Sequence, residues 1–268
     1  MIGLRADAQR ALDELHRNND SGNRYILLPN LPRAIRIQLD KDKNMLDGIP
    51  FRLTFEGRTG VMKIIPSYTH GVVTRRIADE ILFQSMLNRT PEDDIGWAAT
   101  TTFRSTTRHK GKQPDDCFLP ATRQGRGGDP PKSPTLVLES GVLESLPRLH
   151  EDVKWWFQNS SGAVRIVLVF SIDKTRRTIL LEKWQRRSAD RMLHGINQMP
   201  ISMPAMDLQD PELQQLYVAQ SITITSTSVV GSVPLSLHFE SLFDRAPQSA
   251  ERDLQLDVQR LVDIAQNL

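Results

Sequence analysis

The apolar positions fall into short runs whose spacing alternates between helical and strand-like. Leu4, Ala8, Ala11, Leu12 and Leu15 predict an amphipathic helix over residues 3–17, ended by Asn18-Asn19-Asp20-Ser21-Gly22. Residues 25–28 and 35–39 predict short strands. Residues 51–56 and 60–65, separated by Gly57-Arg58-Thr59, predict a hairpin. Val72, Val73, Ile77, Ile81, Leu82 and Met86 share one face of a helix over 69–87. Residues 97–104 predict a strand, 105–134 a loop rich in Gly, Pro, Lys and Arg, and 135–139 a short apolar strand ending at Glu139. A helix over 145–159 follows, with Ser145 as N-cap and Pro147 in its first turn. Leu146, Leu149, Val153, Trp156 and Phe157 form its apolar face, and Gly162 closes it. Residues 164–170 carry the strongest buried-strand pattern, with 178–184 as hairpin partner. Residues 188–215 are Met-, Pro- and Gln-rich and weakly patterned. Residues 222–230 and 233–243 suggest another hairpin around Gly231-Ser232, and 250–268 a closing helix.

Helices interrupting a mixed sheet predict an α/β (α+β) fold. One domain over 1–268 is expected, with a core at 51–184, an N-terminal extension at 1–50 and a C-terminal strand-helix extension at 188–268. At 268 residues, 39% hydrophobic and 25% charged, the composition lies well above the disordered regime. The single cysteine, Cys117, excludes a disulfide framework and a thiolate zinc site. No apolar run approaches the ~20 residues that span a bilayer. The charged N-terminus does not read as a secretory signal. The expectation is therefore an intracellular protein, cytoplasmic or nuclear, without a membrane partner.

The net charge of +2 conceals an uneven distribution. Residues 97–134 hold Arg104, Arg108, Lys110, Lys112, Arg123, Arg126 and Lys132 against Asp115, Asp116 and Asp129, a net of +4. Residues 192–268 carry a net of −6. A basic core half with an acidic tail suits a polyanionic partner, or simply a solvated face.

Nucleotide-binding glycine loops, HExxH and G-x-S-x-G are absent. What remains is Pro114-Asp115, then Glu139 at the end of Thr135-Leu-Val-Leu, then Lys154 on the following helix. Carboxylates on neighbouring strands are hard oxygen ligands for Mg²⁺ or Mn²⁺, and such an ion lowers the pKa of a water that attacks a phosphodiester. A nearby lysine offsets charge on phosphorus.

This order resembles the PD-(D/E)XK nuclease superfamily. Over residues 51–184 it resembles a large bacterial group of proposed restriction endonucleases: a hairpin, a helix opening with Pro66-Ser-Tyr-Thr-His70, strands, Pro114-Asp115, Val137-Leu-Glu139 to Ser145, a helix with Lys154, and the paired strands 164–184. The wording L-V-L-E-S-G-V-L-E-S-L-x-x-L-x-x-D-x-K-W-W is also similar to uncharacterised fungal proteins of that superfamily. The resemblance implies a restriction-endonuclease-like central sheet flanked by helices. It makes Asp115 and Glu139 the metal carboxylates, with Glu80 as a further acidic ligand, and Lys154 the catalytic lysine. Arg104, Arg108, Lys110, Lys112, Arg123 and Arg126 become contacts to nucleic acid, DNA first; a homodimer is left open.

Two departures qualify this picture. The usual lysine lies two positions after the glutamate, where this chain has Gly141. Lys154 is one position past Val153, about 100° around the helix from the core face. The leading expectation is a Mg²⁺-dependent endonuclease. The alternative is a catalytically inactive derivative of the fold that binds nucleic acid or protein. An enzyme acting on small molecules has no motif behind it.

Overall fold

The computed structural model describes residues 2–187 and 215–266, apart from 67, 100, 107, 108, 126, 128, 143 and 144 and the side chains of 2 and 68–70. The weakly patterned stretch 188–215 falls almost wholly outside the described residues. The fold is α+β, with a mixed central sheet flanked by helices.

The N-terminal part builds an antiparallel five-stranded sheet from β1 (Tyr25–Leu28), β2 (Phe51–Glu56), β3 (Thr59–Ile64), β5 (Phe103–Arg104) and β6 (Lys110–Lys112), in the order β1-β3-β2-β6-β5. Period-two alternation divides its faces. Phe51, Leu53, Phe55, Met62 and Ile64 pack beneath α1 (Ile2–Arg17) and α2 (Arg33–Lys41). Arg52, Thr54, Lys63 and Lys112 lie on the opposite face, where register sets Arg52 against Lys63 and Thr54 against Lys112. The strand expected at 35–39 is α2. Its alternating Ile-Arg-Ile-Gln-Leu mimics a strand, but Pro32 at the N-cap presets the turn and Leu39 is buried one helical turn after half-buried Ile35.

The second sheet has the order β12-β11-β10-β9-β8-β7-β4. Its strands are β4 (Gly96–Trp97), β7 (Asp116–Leu119), β8 (Leu136–Val142), β9 (Ile166–Asp173), β10 (Thr178–Arg186), β11 (Leu216–Thr225) and β12 (Val229–Gly231). Only the β8–β9 pair is parallel, and α4 (Leu146–Asn159) makes that connection. On one face α3 (Tyr68–Leu87) and α6 (Val258–Ala265) cover Leu136, Leu138, Leu168 and Ile222. On the other, α4 places Leu149, Val153, Trp156 and Phe157 over Val137, Val167 and Val169. Along the chain α3, the large-sheet strands β4, β7 and β8, then α4 and β9 follow in the order that the resemblance implies.

The predicted strand at 97–104 is one arm of a longer device. Trp97 pairs with Phe118 in the large sheet, and Phe103 pairs with Lys112 in the small one, in a single continuing register. Residues 96–104 and 111–119 form a ribbon whose tip belongs to one sheet and whose base belongs to the other. It contributes β6 and β7 to the stretch expected to be loop. At the C-terminus the second hairpin is replaced. β11 pairs with β12, while β13 (Leu235–Leu237) pairs with β14 (Leu254–Leu256) around α5 (Phe239–Phe243). The closing helix is correspondingly shorter, α6 alone.

Candidate active site

Asp115 lies in the ribbon between β6 and β7, where the chain crosses from one sheet to the other. Its Oδ2 accepts from the Ser140 backbone N–H at 2.8 Å, from Ser140 Oγ at 3.0 Å and from Lys63 Nζ at 2.8 Å. Arg52 donates to the Pro114 and Asp115 carbonyls and its Nε stands 3.6 Å from Asp115 Oδ1. Glu139 sits mid-strand, since β8 continues three residues past it. Its Oε1 accepts from Trp156 Nε1 at 2.7 Å and lies 3.4 Å from Lys112 Nζ. Its Oε2 lies 3.8 Å from Lys63 Nζ. Asp152, on the inner face of α4, holds Lys112 at 2.9 Å. The two carboxylates singled out in the sequence therefore meet around one amine, and that amine is Lys63.

Lys154 does not join them. Its side chain is 54% exposed and pairs with Glu151 one helical turn back. The 100° offset from Val153 turns it outward, whereas Asp152 and Trp156 point in. Glu80 is elsewhere too: it lies on α3, bonded to Arg260 of α6 and to Gln84. Two supposed nucleic-acid contacts are interior groups. Lys112 is part of this cluster, and Arg123 is buried against Asp244 and the carbonyls of Ser133, Pro134 and Ala163. Arg104 and Lys110 remain at the surface, while Arg108 and Arg126 lie outside the described residues. At Gly141 a side chain in place of the usual lysine would have to displace Ser145. A Cβ there would lie 2.1 Å from Ser145 Oγ and 3.2 Å from Leu149 Cδ1.

Electrostatics follow from burial and pairing. Burial alone would raise the Asp115 carboxyl, but Lys63 and then Arg52 hold it well below the usual carboxylate range. Burial pushes Glu139 up to about 6, against the pull of Lys112. Burial would lower both lysines, yet Asp115 and Glu139 keep Lys63 above its ordinary value, and Asp152 and Glu139 do the same for Lys112. Arg52, Lys63 and Lys112 thus face Asp115, Glu139 and Asp152, and Arg148 reaches Asp152 at 3.8 Å from the rim of the cluster. Glu139 is 1% exposed and Asp115 7%.

This donor set fits an ammonium rather than a divalent ion. Asp115 Oδ2 already accepts from three donors, Glu139 Oε1 faces two, and the space between the carboxylates is taken by Lys63 Nζ. Among the described residues, no group of three or more His, Cys, Asp or Glu side chains is placed to hold a metal. Among the described residues, the buried polar atoms beside the cluster without a hydrogen bond are the Tyr25 hydroxyl and Arg148 Nε; a phenol and a guanidinium ask for hydrogen bonds, not for Mg²⁺.

No family model matches the chain, and no curated protein matches it. Among solved structures, the chain is similar to a proposed nuclease belonging to DUF820 from Anabaena variabilis ATCC 29413. The identity is 9% and the TM-score 0.45, over 80% of this chain and 90% of that one. Among the described residues, no helix is long and apolar enough to cross a membrane.

Proposed function

We propose that this chain is a nuclease-like scaffold that binds nucleic acid without cutting it. The observation that carries this reading is the buried, ion-paired cluster in place of an open carboxylate pair. Among the described residues, Asp115 is 7% and Glu139 1% exposed, and Lys63 and Lys112 already pair with them. Burying so many charges is tolerable only because each is paired, and that pairing leaves little free to polarise a substrate.

The surface that would meet a polyanion lies at the ribbon tip and the β2–β3 turn. Arg36 stacks over the Phe55 ring at 4.2 Å and Arg104 at 5.6 Å. Burial, then Arg104 and Arg33, lower the Arg36 pKa, so like charges are held together here. Arg33, Arg36, Arg58, Arg104 and Lys110 are offset only by Asp40 and Glu56, which pair with Arg104 and Lys110. Phosphates would relieve that repulsion.

The test is a labelled DNA duplex titrated at rising salt, with plasmid nicking run in parallel in Mg²⁺ or Mn²⁺. Binding should weaken steeply with salt. Replacing Arg36 and Arg104 by Ala should reduce the log–log salt slope by about 2. No binding at low salt, or nicking that Glu139→Ala abolishes, refutes the reading. The second reading, a metal-dependent nuclease for DNA, is favoured by one observation: the Asp115–Lys63–Glu139 convergence supplies the groups such chemistry uses. It requires the small sheet to lift off the cluster, and the same nicking assay decides it.

A further inference from the structure

Two buried carboxylates this close to one point need a cation between them. Lys63 Nζ lies 2.8 Å from Asp115 Oδ2 and 3.8 Å from Glu139 Oε2, and it also donates to the Ser140 carbonyl at 2.8 Å. The amine is delivered by β3 of the small sheet, whose other face is locked into its own apolar core. It is therefore always present at one per chain.

We propose that Lys63 is a built-in cation: it occupies the position between Asp115 and Glu139 that a divalent ion would need, and the pair accepts such an ion only when that amine is removed. The local pairing gives the reason. Without Lys63, Asp115 keeps only Arg52, 3.6 Å away, and Glu139 has Lys112, which stands closer to Asp152, so the two carboxylates lose the cation they share. A buried unpaired charge is costly, so the vacated position acquires a demand for a cation. The Ser140 N–H and hydroxyl still orient Asp115, and Trp156 still orients Glu139, so the oxygens keep their places. Hard carboxylate oxygens then select Mg²⁺ or Mn²⁺.

Lys63→Met is the direct test, because methionine keeps the apolar stem and loses only the amine end. The full chain is titrated with Mn²⁺ at pH 7 and the signal of free Mn²⁺ is followed by electron paramagnetic resonance. Wild type should show no saturable binding, Lys63→Met one ion per chain, and Lys63→Met with Asp115→Asn none. Lys112→Met removes the same charge but leaves Lys63 in place, so it should also bind none. If Lys63→Met does not fold, as judged by circular dichroism, Lys63→Gln is read in the same way, since its amide can still bond to Asp115 and Ser140. A single Mn²⁺ on wild type that Asp115→Asn removes overturns the proposal. So does a folded Lys63 variant that takes no ion, or an ion on Lys112→Met. The inference rests on the closed cluster described under Proposed function, yet the two fail separately. Plasmid nicking by wild type defeats that reading, whereas a folded, metal-free Lys63→Met beside a non-nicking wild type defeats this one alone.

Discussion

Replacing Glu139 by Gln should stabilise the protein at neutral pH, although it deletes a charge from a buried ion network. Burial shifts this carboxyl from an ordinary value of 4.5 to about 6. At about 1.4 kcal/mol per tenfold change in proton affinity, the ionised group sits about 2 kcal/mol worse in the fold than in the unfolded chain. Gln resembles the protonated acid, and its Oε1 can still accept from Trp156 Nε1. The attraction of Lys112 and Lys63 is already contained in that shift, so the remaining question is whether either lysine is left alone, which would cost about 3–5 kcal/mol. Neither is. Lys63 is nearer to Asp115, at 2.8 against 3.8 Å, and Lys112 is nearer to Asp152, at 2.9 against 3.4 Å. The sign in pH follows. Below 4.5 the acid is protonated in both states and there is no penalty. Between 4.5 and 6 the unfolded chain ionises first and folding loses stability, and above 6 the full penalty is present. Urea melts at pH 4, 5 and 7 should therefore show Glu139→Gln matching wild type at the lowest pH and exceeding it by about 2 kcal/mol at pH 7. In thermal melts the gain is roughly 4–8 °C. A Gln variant that is less stable than wild type at pH 7, or a gap independent of pH, refutes the reasoning.

Asp115→Asn should do the opposite, costing about 3–5 kcal/mol in urea melts, because it takes away the closest partner of Lys63; a cost under about 1 kcal/mol would contradict the assigned pairing. Gly141→Ala should cost about 1–3 kcal/mol by overpacking. The displaced Ser145 hydroxyl would have to give up its bond to the Val142 carbonyl at 2.7 Å, and an unchanged melt would contradict the close approach. Lys154→Ala should stay within about 0.5 kcal/mol of wild type, as an exposed pair within one helical turn warrants, with no effect on DNA binding.

Much of the fold was legible. The helical spacing of Leu4 to Leu15, the hairpin around Gly57 and the apolar run before Ser171 name α1, β2–β3 and β9 without tertiary information. The site was legible in its acids and not in its base. Asp115 and Glu139 stood out as carboxylates at neighbouring strand ends in the Pro-Asp, Val-x-Glu order. Lys154 drew attention by proximity along the helix, but an α-helix turns the next residue away, and Lys63 arrives from a strand 76 residues before Glu139. Its signal lay in the strand register. In the observed register Arg52 stands directly opposite Lys63, and two cations facing each other across a strand pair are unfavourable unless an acid covers them; the three-residue separation read from the sequence puts Ile64 there instead. Asp152 was visible as an acid inside the Leu149-Val153-Trp156 stripe. The split of 97–104 between two sheets was not legible, because a ribbon in unbroken register carries the same alternation whichever sheet claims it.

That ribbon has a mechanical consequence. Its tip is stitched into one layer and its base into the other, so separating the layers strains the strip between Trp97 and Phe103. The layers are in effect riveted, and Asp115 sits at the rivet. Melting of the N-terminal layer is therefore expected to pull on the central one through this strip.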